Sequence, residues 1–178
     1  MKVMRGKAWV FGDNLDVDFE IVPFRMVQSL EKARTMEVLG QYCMSPIDPG
    51  FPKRISKGDF IVAGINMGCG HDHVDGPRAI KGCGISAVIA ESLHDWFFRN
   101  SILTGLPVVE YKGIKMKVKQ GDELELDYEA GRLTNLTANE TLAFKPLPRW
   151  LLEIIEMGDL WTYLKEKVDT NTLDAYLE

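Results

Sequence analysis

The sequence predicts an α/β domain built on a mixed sheet, either three-layered or barrel-like. Three observations carry that reading. Short, nearly continuous apolar runs at 60–65 and 85–90 alternate with helical periodicities, the pattern of buried parallel strands. Beyond Gly113 the rhythm changes to alternation at Leu124, Leu126 and Tyr128, which marks an antiparallel strand with one wet face. A length of 178 residues, 46% hydrophobic and 26% charged, fits one compact domain and argues against disorder.

Residues 7–11 read as the first strand, stopped by Gly12-Asp13-Asn14, whose side chains favour turns. Ser29 is placed to cap a helix through Leu39, with Gly40 as its left-handed stop. Pro46, Pro49, Gly50 and Pro52 make 45–57 a loop. The strand at 60–65 runs into a glycine-rich passage, 66–76. Pro77 then suits the first position of a short helix to about Lys81, where a missing N–H costs nothing. After the strand at 85–90, Ser92 and Asp95 make a capping-box-like start for a helix carrying Leu93, Trp96, Phe97, Ile102 and Leu103. Gly105 and Pro107 end it, and 107–111 is a further strand. Gly131 turns the alternating strand back into 133–136 as a hairpin. Helices at 148–157 and 160–167 follow, separated by Gly158-Asp159. The folded domain is set at 1–168, and the polar segment 169–178 reads as a tail that frays.

Composition excludes several classes. With 21 Lys+Arg against 26 Asp+Glu the net charge is −5, the wrong sign for a nucleic-acid binder. No apolar run approaches the roughly 18 residues of a membrane helix, and the start of the chain is too short in apolar residues for a secretory signal. A cytoplasmic location is expected. Cys43, Cys69 and Cys83 give an odd count with no close pair, so no disulfide framework is expected. Nor do they offer the run of thiolates a four-iron cluster needs.

The chemistry-bearing residues fall in two places. Passage 66–76 follows a strand and opens a helix, where ligands gather in α/β proteins and where free N–H groups favour anions. It carries His71, Asp72, His73 and Asp75 among Gly68, Gly70 and Gly76. A plain turn with Asp75 as a helix cap explains the same residues. So would a His-x-His metal site, although His94 is the only other histidine. The second place is Asp13-Asn14-Leu15-Asp16-Val17-Asp18, either a turn cluster or a site for a cation or water. It lacks the Gly and terminal Glu of an EF-hand loop.

Taken in order, these segments resemble one family, the small subunit of 3-isopropylmalate dehydratase, which is homologous to the swivelling domain of aconitase. The resemblance rests on the stretch from Gly6-Lys7-Ala8-Trp9 through Asp16-Val17-Asp18, on Gly58-Asp59-Phe60-Ile61-Val62-Ala63-Gly64 and on Asn66-Met67-Gly68-Cys69-Gly70. It continues through Ala87-Val88-Ile89-Ala90-Glu91-Ser92, Phe98-Arg99-Asn100, Gly105-Leu106-Pro107 and Gly121-Asp122-Glu123-Leu124, covering roughly residues 5–168. It implies a swivelling β/β/α domain that lids a large catalytic subunit. It also implies a hydro-lyase inactive without that subunit, serving leucine biosynthesis. The cofactor implied is a [4Fe-4S] cluster on the large subunit, with none in this chain. An isolated chain, its lid face uncovered, can self-associate.

The departures from the family lie in the loop. Where the family reads Ser-Ser-Arg-Glu-His-Ala-Pro after Cys-Gly, this chain reads His71-Asp72-His73-Val74-Asp75-Gly76-Pro77. The resemblance thus places His71 at the position of the catalytic base and His73 at that of an Arg that grips a substrate carboxylate. Gly70 and Asp72 fall beside them. The family's Asp-Thr-Asp is Asp16-Val17-Asp18, and its Pro-Ala-Arg-Tyr-Leu is Pro23-Phe24-Arg25-Met26-Val27, so Asp16, Asp18 and Arg25 complete the implied substrate site. Three readings stay open: a dehydratase subunit for a substrate other than or beyond isopropylmalate, an isopropylmalate subunit with a rearranged loop, and a non-catalytic paralogue that keeps the fold and the large-subunit interface.

Overall fold

A computed structural model describes residues 3–30 and 34–170. Seven strands form one mixed sheet in the order β4-β3-β2-β1-β5-β6-β7, curled into a half-barrel. Strand β1 (Met4–Val10) stands at its centre. On one side β2 (Phe60–Ala63), β3 (Ala87–Ala90) and β4 (Val108–Glu110) run parallel to it. On the other, β5 (Glu123–Asp127), β6 (Arg132–Asn135) and β7 (Glu140–Ala143) form an antiparallel meander. The two rhythms in the sequence are these two halves. Every residue of β2 and β3 is buried, whereas β5 buries only Leu124 and Leu126.

The junction between the halves is tied by buried Asp59. Its carboxylate accepts from Lys7 N at 2.9 Å, Trp9 Nε1 at 2.8 Å and Ser56 N at 2.9 Å. Tyr128 closes the other flank, its hydroxyl donating to Val108 O at 2.7 Å. Burial pushes that phenol well above its ordinary range.

Local capping departs from the expected pattern at three helices. The single helix expected between Ser29 and Leu39 is two: α1 (Phe24–Ser29) and α2 (Met36–Gly40). Ser29 ends the first, its hydroxyl donating to Met26 O, while Thr35 caps the second by accepting from Val38 N. Gly40 is not a left-handed stop but the contact point of α2 with α4 (Asp75–Gly82). A Cβ on Gly40 would fall on the Gly82 backbone, and one on Gly82 would fall on Met36 O. Between them a short α3 (Phe51–Arg54) interrupts the expected loop 45–57. Helix α4 starts two residues before Pro77, which still lies in the first turn, where its missing N–H is harmless. Helix α5 (Asp95–Leu103) is not capped by Ser92, because that hydroxyl is taken by Asn66 N at 2.8 Å.

The remaining helices are α6 (Ile114–Lys117), α7 (Arg149–Met157) and α8 (Leu160–Asp169). Lys81, in α4, donates from Nζ to Thr104 O and Gly158 O, joining the ends of α5 and α7. Desolvation lowers that ammonium's pKa below the usual lysine value. The expected tail lies outside the described residues from 171 onward. No helix among the described residues is long and apolar enough to cross a membrane.

Asp159 caps α8, its Oδ1 accepting from Thr162 N at 2.7 Å. That backbone bond holds its carboxyl below the ordinary carboxylate range. Asp159→Ala is expected to cost about 1 kcal/mol of stability at neutral pH. The wild-type contribution is complete above about pH 4, the unfolded value, and is lost as pH falls through the lower folded value. Urea melts of both proteins from neutral to acid pH check the size and the sign.

Candidate active site

The two chemistry-bearing segments lie side by side. Val17 N donates to Cys69 O at 2.9 Å and Gly68 N to Leu15 O at 2.8 Å, so the two segments meet at a single parallel bridge of Asp16 with Cys69. Asp16 is the pillar between them. Its Oδ1 accepts from Asp18 N at 2.8 Å and from Phe19 N at 3.2 Å. Gly70 (φ +89°) passes so close over the same carboxylate that a Cβ there would fall on it. The chain then makes one wide turn, Val17–Ile21, with Ile21 N bonded to Asp16 O and Val22 N to Val17 O, both at 2.9 Å. Such i→i+5 turns recur at functional sites. This one turns Asp18 inward.

Asp18 is 6% exposed and meets both histidines. Its Oδ2 lies 2.9 Å from His71 Nδ1 and its Oδ1 lies 2.8 Å from His73 Nδ1. The two imidazoles are nearly parallel, 5.5 Å apart and 12° between planes. Phe24 lies on the far face of His73, 4.5 Å away and also 12° from parallel, so three rings form one stack. Such contacts are worth about 0.5–1.5 kcal/mol each beyond area burial. The stack walls an open cleft of about 460 Å³, with Phe19, Pro23 and Pro46 as its apolar side. Arg25 lines the rim, exposed and without an ion pair to any described residue. His71 is the more open ring, with 69% of its side chain exposed against 32% for His73.

The loop between the histidines is held from behind. Asn100 of α5 is buried and donates to Asp72 O at 2.8 Å, while the Asp72 side chain points outward. Beneath, Phe97 packs against Gly68 (φ +78°), leaving no room for a Cβ. At the helix start Asp75 is buried in the first turn and pairs with Arg34 at 3.5 Å. The positive end of α4 therefore already holds the chain's own carboxylate, and the groups left to face a ligand are side chains.

Sequence reasoning missed three contributors: Phe24, Phe19 and Asn100. Phe24 had a signal, standing where the family has Ala. Phe19, a large aromatic 67% exposed beside Asp18, had none.

The cysteines stand apart from the cleft-lining residues. Cys43 and Cys83, forty positions apart, come near enough in the fold to interact electrostatically, and the Cys83 thiol donates to Ile80 O at 3.0 Å. All three are free. Burial pushes the Cys43 thiol far above its ordinary range, and burial together with the Asp16 carboxylate raises Cys69. These three are not gathered for an iron–sulfur cluster, since Cys83 donates to Ile80 O and Cys69 lies apart from it in the passage 66–76, bridged to Asp16. Among the described residues no group of three or more His, Cys, Asp or Glu is arranged to hold a metal ion.

No family model matches the chain. Individual relatives do. It is 45% identical over 166 residues to the isopropylmalate/citramalate isomerase small subunit of Methanocaldococcus jannaschii, covering 93% of this chain and 96% of that protein. It is 41% identical over 173 residues to the 3-isopropylmalate dehydratase small subunit of Wolinella succinogenes, covering 97% and 100%. This chain belongs to the 3-isopropylmalate dehydratase small-subunit family. The crystal structure of 3-isopropylmalate dehydratase from Methanocaldococcus jannaschii matches with a TM-score of 0.86 at 34% identity, covering 96% of this chain and 98% of that one.

Proposed function

We propose that the chain is the lidding subunit of a two-subunit hydro-lyase that removes water from a hydroxy-dicarboxylate and returns it across the alkene at the neighbouring carbon. Its substrate is other than, or beyond, isopropylmalate. The observation that carries this reading is the His71 imidazole, anchored through Nδ1 to buried Asp18, with its remaining edge open to the cleft. A neutral imidazole so placed takes a proton from the carbon beside a carboxylate and returns one on rehydration. Arg25 offers a carboxylate two parallel donors from the rim. His73, whose Nδ1 is occupied by Asp18, donates from Nε2 to a substrate carboxylate only as imidazolium. Phe19, Pro23 and Phe24 shelter an apolar part of the substrate.

The names of the relatives support a large-subunit partner. When bound there, a [4Fe-4S] cluster supplies a Lewis acid for the leaving hydroxyl. Co-expression with a cluster-bearing large subunit from the same genome, anaerobic reconstitution and a screen of hydroxy-diacids by alkene absorbance test the proposal. Turnover of a hydroxy-diacid supports it. A well-formed, cluster-loaded complex that turns over none overturns it in favour of a non-catalytic paralogue.

A further inference from the structure

We propose that Asp18 is a positioning residue that locks His71 and His73 together as Nδ1–H tautomers, so that two bare Nε2 atoms face the cleft. The proposal rests on the reading of His71 as base and adds what makes it one. An ionised carboxylate only accepts hydrogen bonds. Both Asp18 oxygens are engaged, one by each Nδ1. Each Nδ1 must therefore carry the hydrogen, and a neutral imidazole has only one to place. Free imidazole side chains prefer the opposite form, so the carboxylate is setting the tautomer against its intrinsic bias.

The geometry holds this arrangement from every side. Asp18 is buried, and its backbone is pinned by the Asp16 carboxylate through Asp18 N. The rings lie 12° from parallel with their Nδ1 atoms on one carboxylate, so their Nε2 edges point the same way. Phe24 closes the outer face of His73 and keeps that ring from rotating away. When His71 takes a proton, the charge appears directly beside Asp18, which stabilises the imidazolium without accepting the proton itself. One carboxylate thereby orients the base and also fixes the ring in the family's arginine position.

The test reads tautomers directly on the full-length chain. Long-range proton–nitrogen correlation spectra of ¹⁵N-histidine-labelled protein at alkaline pH, where imidazoles are neutral, distinguish the two forms. His71→Ala, His73→Ala and His94→Gln variants assign the three histidines. Both His71 and His73 are expected as Nδ1–H in the wild type. In Asp18→Asn one of the two oxygens becomes an NH2 donor, which meets a bare Nδ1, so the ring on that side is expected to revert to Nε2–H. Wild-type rings in the Nε2–H form, or an Asp18→Asn protein with both rings still Nδ1–H, overturn the clamp. Should Asp18→Asn fail to fold, the wild-type spectrum alone decides. In the assembled enzyme Asp18→Asn is expected to lower kcat by roughly 10²–10⁴-fold, the scale of a misassigned tautomer. An inactive wild-type complex with Nδ1–H histidines sinks the hydro-lyase reading and leaves the clamp. An active one with Nε2–H histidines does the reverse.

Discussion

Assembled with a large subunit, His71→Ala is expected to lower kcat by roughly 10²–10⁴-fold if His71 is the proposed base, the usual contribution of a positioned proton transfer. The side chain is 69% exposed and its one polar partner is Asp18, so its loss leaves the core untouched. Urea melts of the isolated variant are expected to show a loss of about 1–3 kcal/mol, from the missing stack and the unpaired Asp18 oxygen, with a cooperative transition that separates lost chemistry from lost fold. His73→Ala gives the contrasting pattern. It removes the proposed carboxylate donor, which acts as imidazolium, and the ring sandwiched between Phe24 and His71, so KM is expected to rise more than kcat falls. Steady-state kinetics on the first hydroxy-diacid found to turn over distinguishes the two. Full activity in His71→Ala overturns its assignment as base, whatever the substrate.

The largest effect on stability is expected at Phe97. This ring is 1% exposed and is the floor on which the Gly68 backbone rests. Phe97→Ala opens a cavity between α5 and the histidine loop, at a cost of about 3–5 kcal/mol. For a chain of this length that is a fall of roughly 6–20 °C in Tm, at 2–4 °C per kcal/mol. Phe97→Leu keeps most of the volume and is expected to cost under about 1.5 kcal/mol. Urea titration with an unchanged m-value shows that the loss is native packing. A cost below about 1 kcal/mol for the alanine variant would mean that the loop does not rest on this ring.

Most of the fold was legible because its two halves write different rhythms. Continuous apolar runs marked β2 and β3, and alternation marked β5 and β6. Strand β7 escaped because it buries only Leu142, which faces Leu133, and four residues with one buried side chain carry no pattern. Caps misled where a hydroxyl had a better partner far along the chain. Ser92 looked like a helix start, yet it satisfies Asn66 N, twenty-six positions earlier. In the site, the residue types in the loop were evident, but their joint engagement by Asp18 was not. That arrangement depends on a wide turn whose hydrogen bonds leave no trace in residue type.

That turn has a consequence for how the family can vary. An i→i+5 turn holds one residue more than an α-turn, and each residue swings the chain about 100° around the helix axis. A relative with one residue fewer between its counterparts of Asp16 and Pro23 would close an ordinary turn and aim its second acidic side chain elsewhere. What must be inherited here is a count as much as a composition. A chain that matches the length of this segment can present a buried carboxylate to the loop opposite, and one that falls short must anchor that loop by other means.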